Sequence, residues 1–170
     1  QDPLGGKIEI KEKKLNKISL SEKSKLISWV LTDTMPTGSL KVHEIVEMGR
    51  FPYTNWFGKL SEKDKKIIDD SINAVHLSHK KDYRYSSLSD GEKQRTMIAK
   101  ALAQDTPIIF LDEPTSHLDL PNTIEIMQLL RDLARKTKKA ILLSTHELEL
   151  TLQVADKIWM MTSEKLTRGL

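Results

Sequence analysis

The sequence of 170 residues predicts an α/β fold built on a parallel sheet. Two unbroken apolar runs, IIFLD and AILLS, are separated by a stretch with helical periodicity that starts near Pro121. Unbroken apolar strands that alternate with helices are typical of a parallel sheet covered on both faces. Ligands of such sheets bind beyond the carboxyl ends of the strands, so we expect a site just after Leu111 and Ser144.

The remaining elements follow from local patterns, taken in chain order. Strands are expected at Gly6–Glu12, at Ile27–Leu31 and, as a further member of the parallel sheet, at Lys157–Met161. Loops are expected at Thr32–Leu40 and at the aromatic-rich Gly49–Gly58. Helices are predicted where apolar residues recur on one face: Val42–Met48, from Ser61 to about Val75, Glu92–Gln104, the stretch from about Pro121, and a short one before Lys157.

Composition excludes several classes of function. The absence of cysteine excludes disulfides, thiolate metal sites and cysteine nucleophiles. The formal net charge is only +3, and the lysine clusters are interleaved with acids, which favours solvated surfaces over a nucleic-acid stripe. Because of this charge pattern, we expect no direct contact with nucleic acid. No apolar run approaches the roughly 18–20 residues of a membrane span.

Polar residues follow both central strands. Asp112 and Glu113 leave the first strand together, and an ionised carboxylate beside a buried strand needs a partner, for which Mg²⁺ is a natural choice. Asp112 is the candidate metal ligand, and Glu113 is the candidate base for an attacking water. His146 follows the next strand and should lie beside them, within reach of a terminal phosphate. The alternatives are a strand-end turn with two solvated acids and an ordinary hydrogen-bonded surface histidine.

The stretch LSDGEKQR, Leu88–Arg95, supports two compatible interpretations. Ser89 and Glu92 fit the capping box, in which each side chain satisfies an amide of the first helical turn. The same turn offers the Ser89 hydroxyl, the small Gly91 and the positive end of a helix to an anion. Asp90 carries a negative charge that opposes such binding unless its side chain turns outward.

Four segments in this order resemble the nucleotide-binding subunit of an ABC transporter. LSDGEKQR resembles the signature, IIFLDEP the Walker B strand, SHLD the D-loop, and STHE the H-switch. The upstream Leu40–Leu77 is similar to the helical lobe of importers for iron–siderophore, haem and cobalamin-type complexes. The resemblance implies a P-loop NTPase-type (RecA-like) core at residues 1–35 and 88–170, with an inserted α-helical lobe at about 36–87, in one partial domain.

The resemblance also implies a mechanism and partners. In the family, two subunits meet head to tail, and the signature of one faces the ATP held by the other. It implies ATP and Mg²⁺ as cofactors, Ser89, Asp90, Gly91 and Glu92 at the nucleotide, and Asp119 between the two sites. The lobe would contact transmembrane permease subunits, which places the protein in the cytoplasm, peripheral on the inner face of the cell membrane. The expected function is hydrolysis of ATP to power import of a metal chelate, an iron complex being the expected cargo.

Two departures from the family pattern shape these expectations. The sequence contains no P-loop motif, G-x-x-x-x-G-K-[ST]. We therefore expect a fragment that is truncated at its N-terminus, just after the P-loop, and is inactive by itself. Asp33 stands where the family has the Q-loop glutamine. A soluble ABC ATPase acting on nucleic acid or ribosomes, and a non-catalytic interaction subunit suggested by Asp33 and Asp90, remain alternatives. Three aromatic residues are expected either at the membrane subunit or in the core of the lobe: Tyr53, Trp56 and Phe57.

Overall fold

The structure is a computed structural model that describes residues 6–10, 12–31, 39–54, 58–162 and 166–169. Its strands are β1 Glu9–Ile10, β2 Lys13–Lys14, β3 Ile27–Val30, β4 Ile108–Leu111, β5 Ala140–Leu143, β6 Ile158–Met161 and β7 Leu166–Gly169. Its α-helices are α1 Leu20–Leu26, α2 Val42–Glu47, α3 Glu62–Ala74, α4 Asp90–Ala103, α5 Leu120–Thr137 and α6 Leu148–Val154. Short 3₁₀ helices lie at Leu15–Lys17, Met48–Tyr53, Ser78–Lys80 and Tyr85–Ser87.

The central sheet is parallel, as the sequence predicts. Within the described residues its strands run in the order β3-β4-β5, with Val30 opposite Leu111 and Leu111 opposite Leu143. Strand β4 is therefore in the middle, and the carboxyl ends of all three strands meet at one edge. The predicted fold class, an α/β protein with a parallel sheet core, is confirmed.

Side chains cap the starts of three helices, and one of these caps is the capping box that the sequence predicts at Ser89. Ser61 and Ser89 each form a complete capping box, with Asp64 and with Glu92 respectively. Asp119 caps α5 by accepting the backbone N–H of Asn122 at 3.0 Å. These caps fix where the three long helices begin.

One apolar cluster joins the helices to the sheet. The helices α2 and α3 pack on α4, and the fully buried Ile45, Ile72 and Ile98 belong to the same cluster as Ile109 of β4. Residues of the predicted lobe therefore share a core with the helix that follows Ser89. The division of the chain into core and lobe stays a prediction.

A buried ion pair reinforces the contact between the lobe and α4. Arg50 is only 4% exposed, and its guanidinium contacts Asp64 at 2.8 Å and donates to the carbonyl oxygen of Ala103 at 2.8 Å. Hydrogen bonds from Ser61, with a smaller contribution from Arg50, hold the pKa of the Asp64 carboxyl below its usual range. Gly49 is required beside this pair, because a Cβ there would lie 2.3 Å from the carbonyl oxygen of Lys100.

The structure corrects four expectations about the strands, the sheet and the loops. Within the part of the chain that the structure describes, the strand at Ile158–Met161 pairs antiparallel with β7 and not with the parallel sheet. The expectation of a sheet covered on both faces is wrong for the described residues, because Trp29 and Leu142 are 54% and 41% exposed on one face. The expected loop from Gly49 begins as the 3₁₀ helix Met48–Tyr53, and the expected first strand is reduced to the β1–β2 hairpin.

Among the residues that the structure describes, no helix combines the length and apolar character needed to cross a membrane.

Candidate functional site

The carboxyl edge of the sheet brings together the residues that the sequence predicts to meet there. The N–H of Asp112 donates to the carbonyl oxygen of Val30 at 2.9 Å, and the N–H of Ser144 donates to that of Leu111 at 3.0 Å. These bonds extend the hydrogen-bond ladder of the parallel sheet one residue past the ends of β4 and β5. They place the start of both strand-end loops side by side.

Ser144 is the centre of a hydrogen-bond network at this edge. Its hydroxyl donates to Asp112 Oδ1 at 2.7 Å and accepts from the backbone N–H of Glu113 at 2.9 Å. Glu113 has a φ of 43°, a left-handed conformation that is uncommon for residues other than glycine. Such conformations persist where neighbouring contacts hold them, and they concentrate at functional sites. Ser144 lies at the strand end that the sequence predicts, but no sequence pattern indicates its role in the site.

His146 contacts Glu113. Its Nε2 lies 2.7 Å from Glu113 Oε1, with the histidine side chain 89% exposed and the glutamate side chain 38% exposed. The predicted juxtaposition of His146 and the acid pair is confirmed, and its partner is Glu113. The roles of Glu113 and His146 in catalysis stay predictions.

The donor set at this edge fits a metal that retains much of its water. Among the described residues no group of three or more His, Asp or Glu side chains could enclose an ion. Mg²⁺ is typically held by one or two carboxylates together with waters and substrate phosphates. The exposed Asp112 carboxylate, oriented by Ser144, fits that pattern as a single protein ligand.

The signature segment, Leu88–Arg95, begins α4 with the predicted capping box. The Ser89 hydroxyl accepts the N–H of Glu92 at 3.3 Å, and Glu92 Oε2 accepts the N–H of Ser89 at 3.1 Å. Ser89 is exposed, whereas Gly91 is buried. In this structure the Glu92 carboxylate therefore completes the cap.

Both acids of this segment are paired with lysine. Asp90 Oδ1 lies 2.9 Å from the Nζ of Lys93, one helical turn away. Glu92 Oε1 lies 2.5 Å from the Nζ of Lys80, which comes from the 3₁₀ helix Ser78–Lys80. The Lys80 hydrogen bond is the largest influence that lowers the pKa of the Glu92 carboxyl. Lys80 was not identified from the sequence.

Gly91 lets the start of α4 pack closely against Asn122, in the first turn of α5. A Cβ at this position would lie 2.6 Å from the side-chain oxygen of Asn122. The Asn122 amide donates to Asp119 Oδ1 at 2.7 Å, so the side chain is held in place. Asn122 thus joins Asp119 to the start of α4, and no local pattern along the chain indicates this contact.

The signature segment and the strand-end loop line one small cavity of about 70 Å³. Asp90 and Lys93 line it from α4, and Glu113 and His117 line it from the loop. This volume holds a few waters and is far below the several hundred Å³ of a typical ligand pocket. The cavity is too small for a nucleotide.

Four further residues were predicted to have a functional role, and the structure describes only one of them, Tyr53. Asp33, Trp56 and Phe57 fall outside the described residues. Tyr53 is 38% exposed, and its ring centroid lies 4.0 Å from the Arg50 guanidinium. This contact favours the packing interpretation for Tyr53.

Comparison with known families assigns the chain. The family model for the ABC transporter matches residues 1–116, which include the signature segment and the Asp112–Glu113 pair. The chain therefore belongs to the ABC transporter family. His146 and Asp119 lie beyond the matched residues.

Curated relatives share much of this chain. An uncharacterised ABC transporter ATP-binding protein of Methanocaldococcus jannaschii is 39% identical over 164 residues, covering 96% of this chain and 57% of that protein. A probable siderophore transport system ATP-binding protein of Bacillus subtilis is 35% identical, covering 90% of this chain and 56% of that protein. An iron(3+)-hydroxamate import ATP-binding protein of Bacillus subtilis is 37% identical, covering 84% of this chain and 53% of that protein. The chain spans about half the length of these relatives.

Solved structures have the same fold. An inward-facing structure of a candidate metal-chelate type ABC transporter superposes with a TM-score of 0.79 and 30% identity, covering 85% of this chain and 57% of that one. A dimeric ATP-binding cassette in a post-hydrolysis state, bound to ADP and Pi, superposes with a TM-score of 0.78 and 26% identity. That match covers 99% of this chain and 75% of the other. Both are structures of ABC proteins, in agreement with the family assignment.

Proposed function

We propose that this chain is part of an ATP-hydrolysing subunit that powers the import of a metal chelate, with an iron complex as the cargo. The observation that carries the proposal is the contact between Glu113 and His146 at the carboxyl edge of the sheet, 2.7 Å long. The relatives that act in siderophore and iron-hydroxamate import support the choice of cargo.

Glu113 is the proposed general base. Its carboxylate accepts the proton of a water whose oxygen attacks the γ-phosphorus, while the bond to the bridging oxygen breaks and ADP leaves with the electron pair. His146 orients the Glu113 carboxylate and lies within reach of the γ-phosphate. General-base assistance of this kind contributes typically about 10²–10⁴-fold in rate.

The proposed cofactors are ATP and Mg²⁺. Asp112 would hold the metal, whose charge neutralises the phosphate oxygens when it is bound. The Ser144 hydroxyl orients Asp112 and simultaneously fixes the backbone of Glu113. One serine therefore sets the relative position of the proposed ligand and the proposed base.

The signature segment is proposed to serve a nucleotide held by a second copy of the subunit. The cavity between this segment and Glu113 within one chain is too small for a nucleotide, at about 70 Å³. The exposed Ser89 hydroxyl and the N-terminus of α4 face outward, where an anion of another chain can approach. Asp119, tied to the start of α4 through Asn122, is the proposed link between the two sites of the pair.

The remaining partners are proposed from the family. The lobe at about 36–87 would contact transmembrane permease subunits, which places the subunit at the inner face of the cell membrane. Direct contact with nucleic acid is not part of the proposal, because the net charge is only +3.

Hydrolysis of MgATP by the complete gene product tests this proposal. Glu113→Gln removes the base while preserving the size of the side chain, so turnover should fall by about 10²–10⁴-fold while ATP binding is retained. Glu149→Gln is the matched control, because Glu149 is an exposed acid on α6 outside the site. It should hydrolyse ATP like the wild type.

Two results would contradict the proposal. The first is a complete gene product with no MgATP hydrolysis, even beside its membrane partners, which would favour a non-catalytic subunit. The second is brisk hydrolysis by the Glu113→Gln variant, which would remove the base assignment.

A further inference from the structure

The signature segment carries two negative charges at the place where an anion is proposed to bind. Asp90 and Glu92 both lie in the first turn of α4, where helices offer a positive end to anions. The Glu92 carboxylate already accepts the N–H of Ser89, so it occupies part of that positive end. A bare carboxylate here would repel a nucleotide phosphate.

Each of these charges has its own lysine. Lys93 pairs with Asp90 from within the same helix. Lys80 pairs with Glu92 across a separation of 12 residues, with the two side chains only 28% and 23% exposed. The Lys80 pair is the better shielded of the two, and partly buried charges are less screened by salt than exposed ones.

We propose that Lys80 is a positioning residue for nucleotide recognition: it cancels the charge of Glu92 and holds the Ser89–Glu92 cap in the form that admits a phosphate. This inference rests on the proposed function of the signature segment. It assigns a role in nucleotide affinity to a residue that lies outside the segment itself.

A purely structural link between Lys80 and Glu92 is the competing explanation. The two explanations differ in what happens when the negative charge is removed. If Lys80 acts by cancelling charge, it becomes dispensable once Glu92 is replaced by neutral glutamine. If Lys80 only ties the 3₁₀ helix to α4, the tie runs through Glu92, so Glu92→Gln breaks it too and should be as harmful as the loss of Lys80.

Steady-state MgATP hydrolysis by the complete gene product separates these cases. We expect Lys80→Met to raise the KM for ATP by about three- to tenfold, the effect of one uncompensated charge acting through partly screened surroundings. Glu92→Gln alone should lack this rise in KM, because it removes the charge that Lys80 cancels, and the double variant Lys80→Met/Glu92→Gln should have a KM within about twofold of it. Lys81→Met removes the same charge from the next residue, whose amine pairs with no carboxylate in the described part of the chain. It should leave KM unchanged.

Each outcome decides between the possibilities. A Lys80→Met variant with wild-type KM would overturn the inference while the hydrolysis itself upholds the proposed function. A Glu92→Gln variant as impaired as Lys80→Met would also overturn it and establish the structural link. A wild-type gene product that hydrolyses no ATP would overturn the proposed function and this inference together.

Discussion

Replacing Gly91 by alanine should disturb the contact between the start of α4 and Asn122, in the first turn of α5. The new Cβ would lie 2.6 Å from the side-chain oxygen of Asn122, and ordinary contact begins at 3.4 Å, so the amide must retreat by about 0.8 Å. That movement breaks its 2.7 Å hydrogen bond to Asp119. Losing a hydrogen bond to a charged group costs about 1.5–3 kcal/mol. Alanine regains about 0.5–1 kcal/mol of helix propensity over glycine.

The net expectation is a loss of about 1–2 kcal/mol in the free energy of unfolding. Urea denaturation of the complete gene product, followed by circular dichroism, measures it. The control is the same substitution in an Asn122→Ala background. There the clashing amide is gone, and the Asn122 Cβ would lie at an ordinary 3.5 Å. Gly91→Ala should then be neutral or stabilising, whereas an equal cost in both backgrounds would refute the packing argument.

Two predictions concern the buried pair of Arg50 and Asp64. Arg50→Met leaves the Asp64 charge buried and the Ala103 carbonyl without its donor, so urea denaturation should show a loss of about 3–5 kcal/mol; a loss below 1 kcal/mol would contradict this. Because the folded-state pKa of Asp64 is lowered, its stabilisation is present above the unfolded pKa and disappears as pH falls through the folded value. The stability advantage of the wild type over Asp64→Asn should therefore shrink as the pH falls below the ordinary aspartate pKa of about 3.9, whereas a constant difference would contradict the assignment.

Local chemistry explains which parts of the fold could be predicted from the sequence. The strands at β4 and β5 are unbroken apolar runs, and Ser61, Ser89 and Asp119 are side chains that cap helices by contacts within three residues. Information of this kind lies in the immediate neighbours along the chain. These strands and caps can therefore be predicted without knowledge of the tertiary structure.

Topology extended the prediction to one contact between distant residues. A parallel sheet brings the ends of its strands to the same edge, so His146 was expected beside the acid pair. The observed contact joins His146 to Glu113. The left-handed backbone of Glu113, by contrast, follows from its contacts and has no sequence pattern of its own.

Contacts between side chains of different elements could not be predicted. Lys80 resembles the exposed lysines around it, and Asn122 resembles any polar residue in the first turn of a helix. Their partners, Glu92 and Gly91, are 12 and 31 residues away and are chosen by packing. Strand β6 illustrates the same limit, because its apolar run predicts a strand but leaves open whether that strand pairs with β5 or with β7.

In the proposed mechanism, the signature segment of one subunit acts on the nucleotide of another. Two defective variants of the complete gene product can be co-expressed to test it: Glu113→Gln, and Ser89→Asp, which keeps a capping residue while placing a negative charge at the turn. In a head-to-tail pair, each mixed dimer regains one intact site. Random pairing then predicts about a quarter of the wild-type MgATP hydrolysis, although each variant alone is nearly inactive. Activity no greater than that of the separate variants would contradict the account.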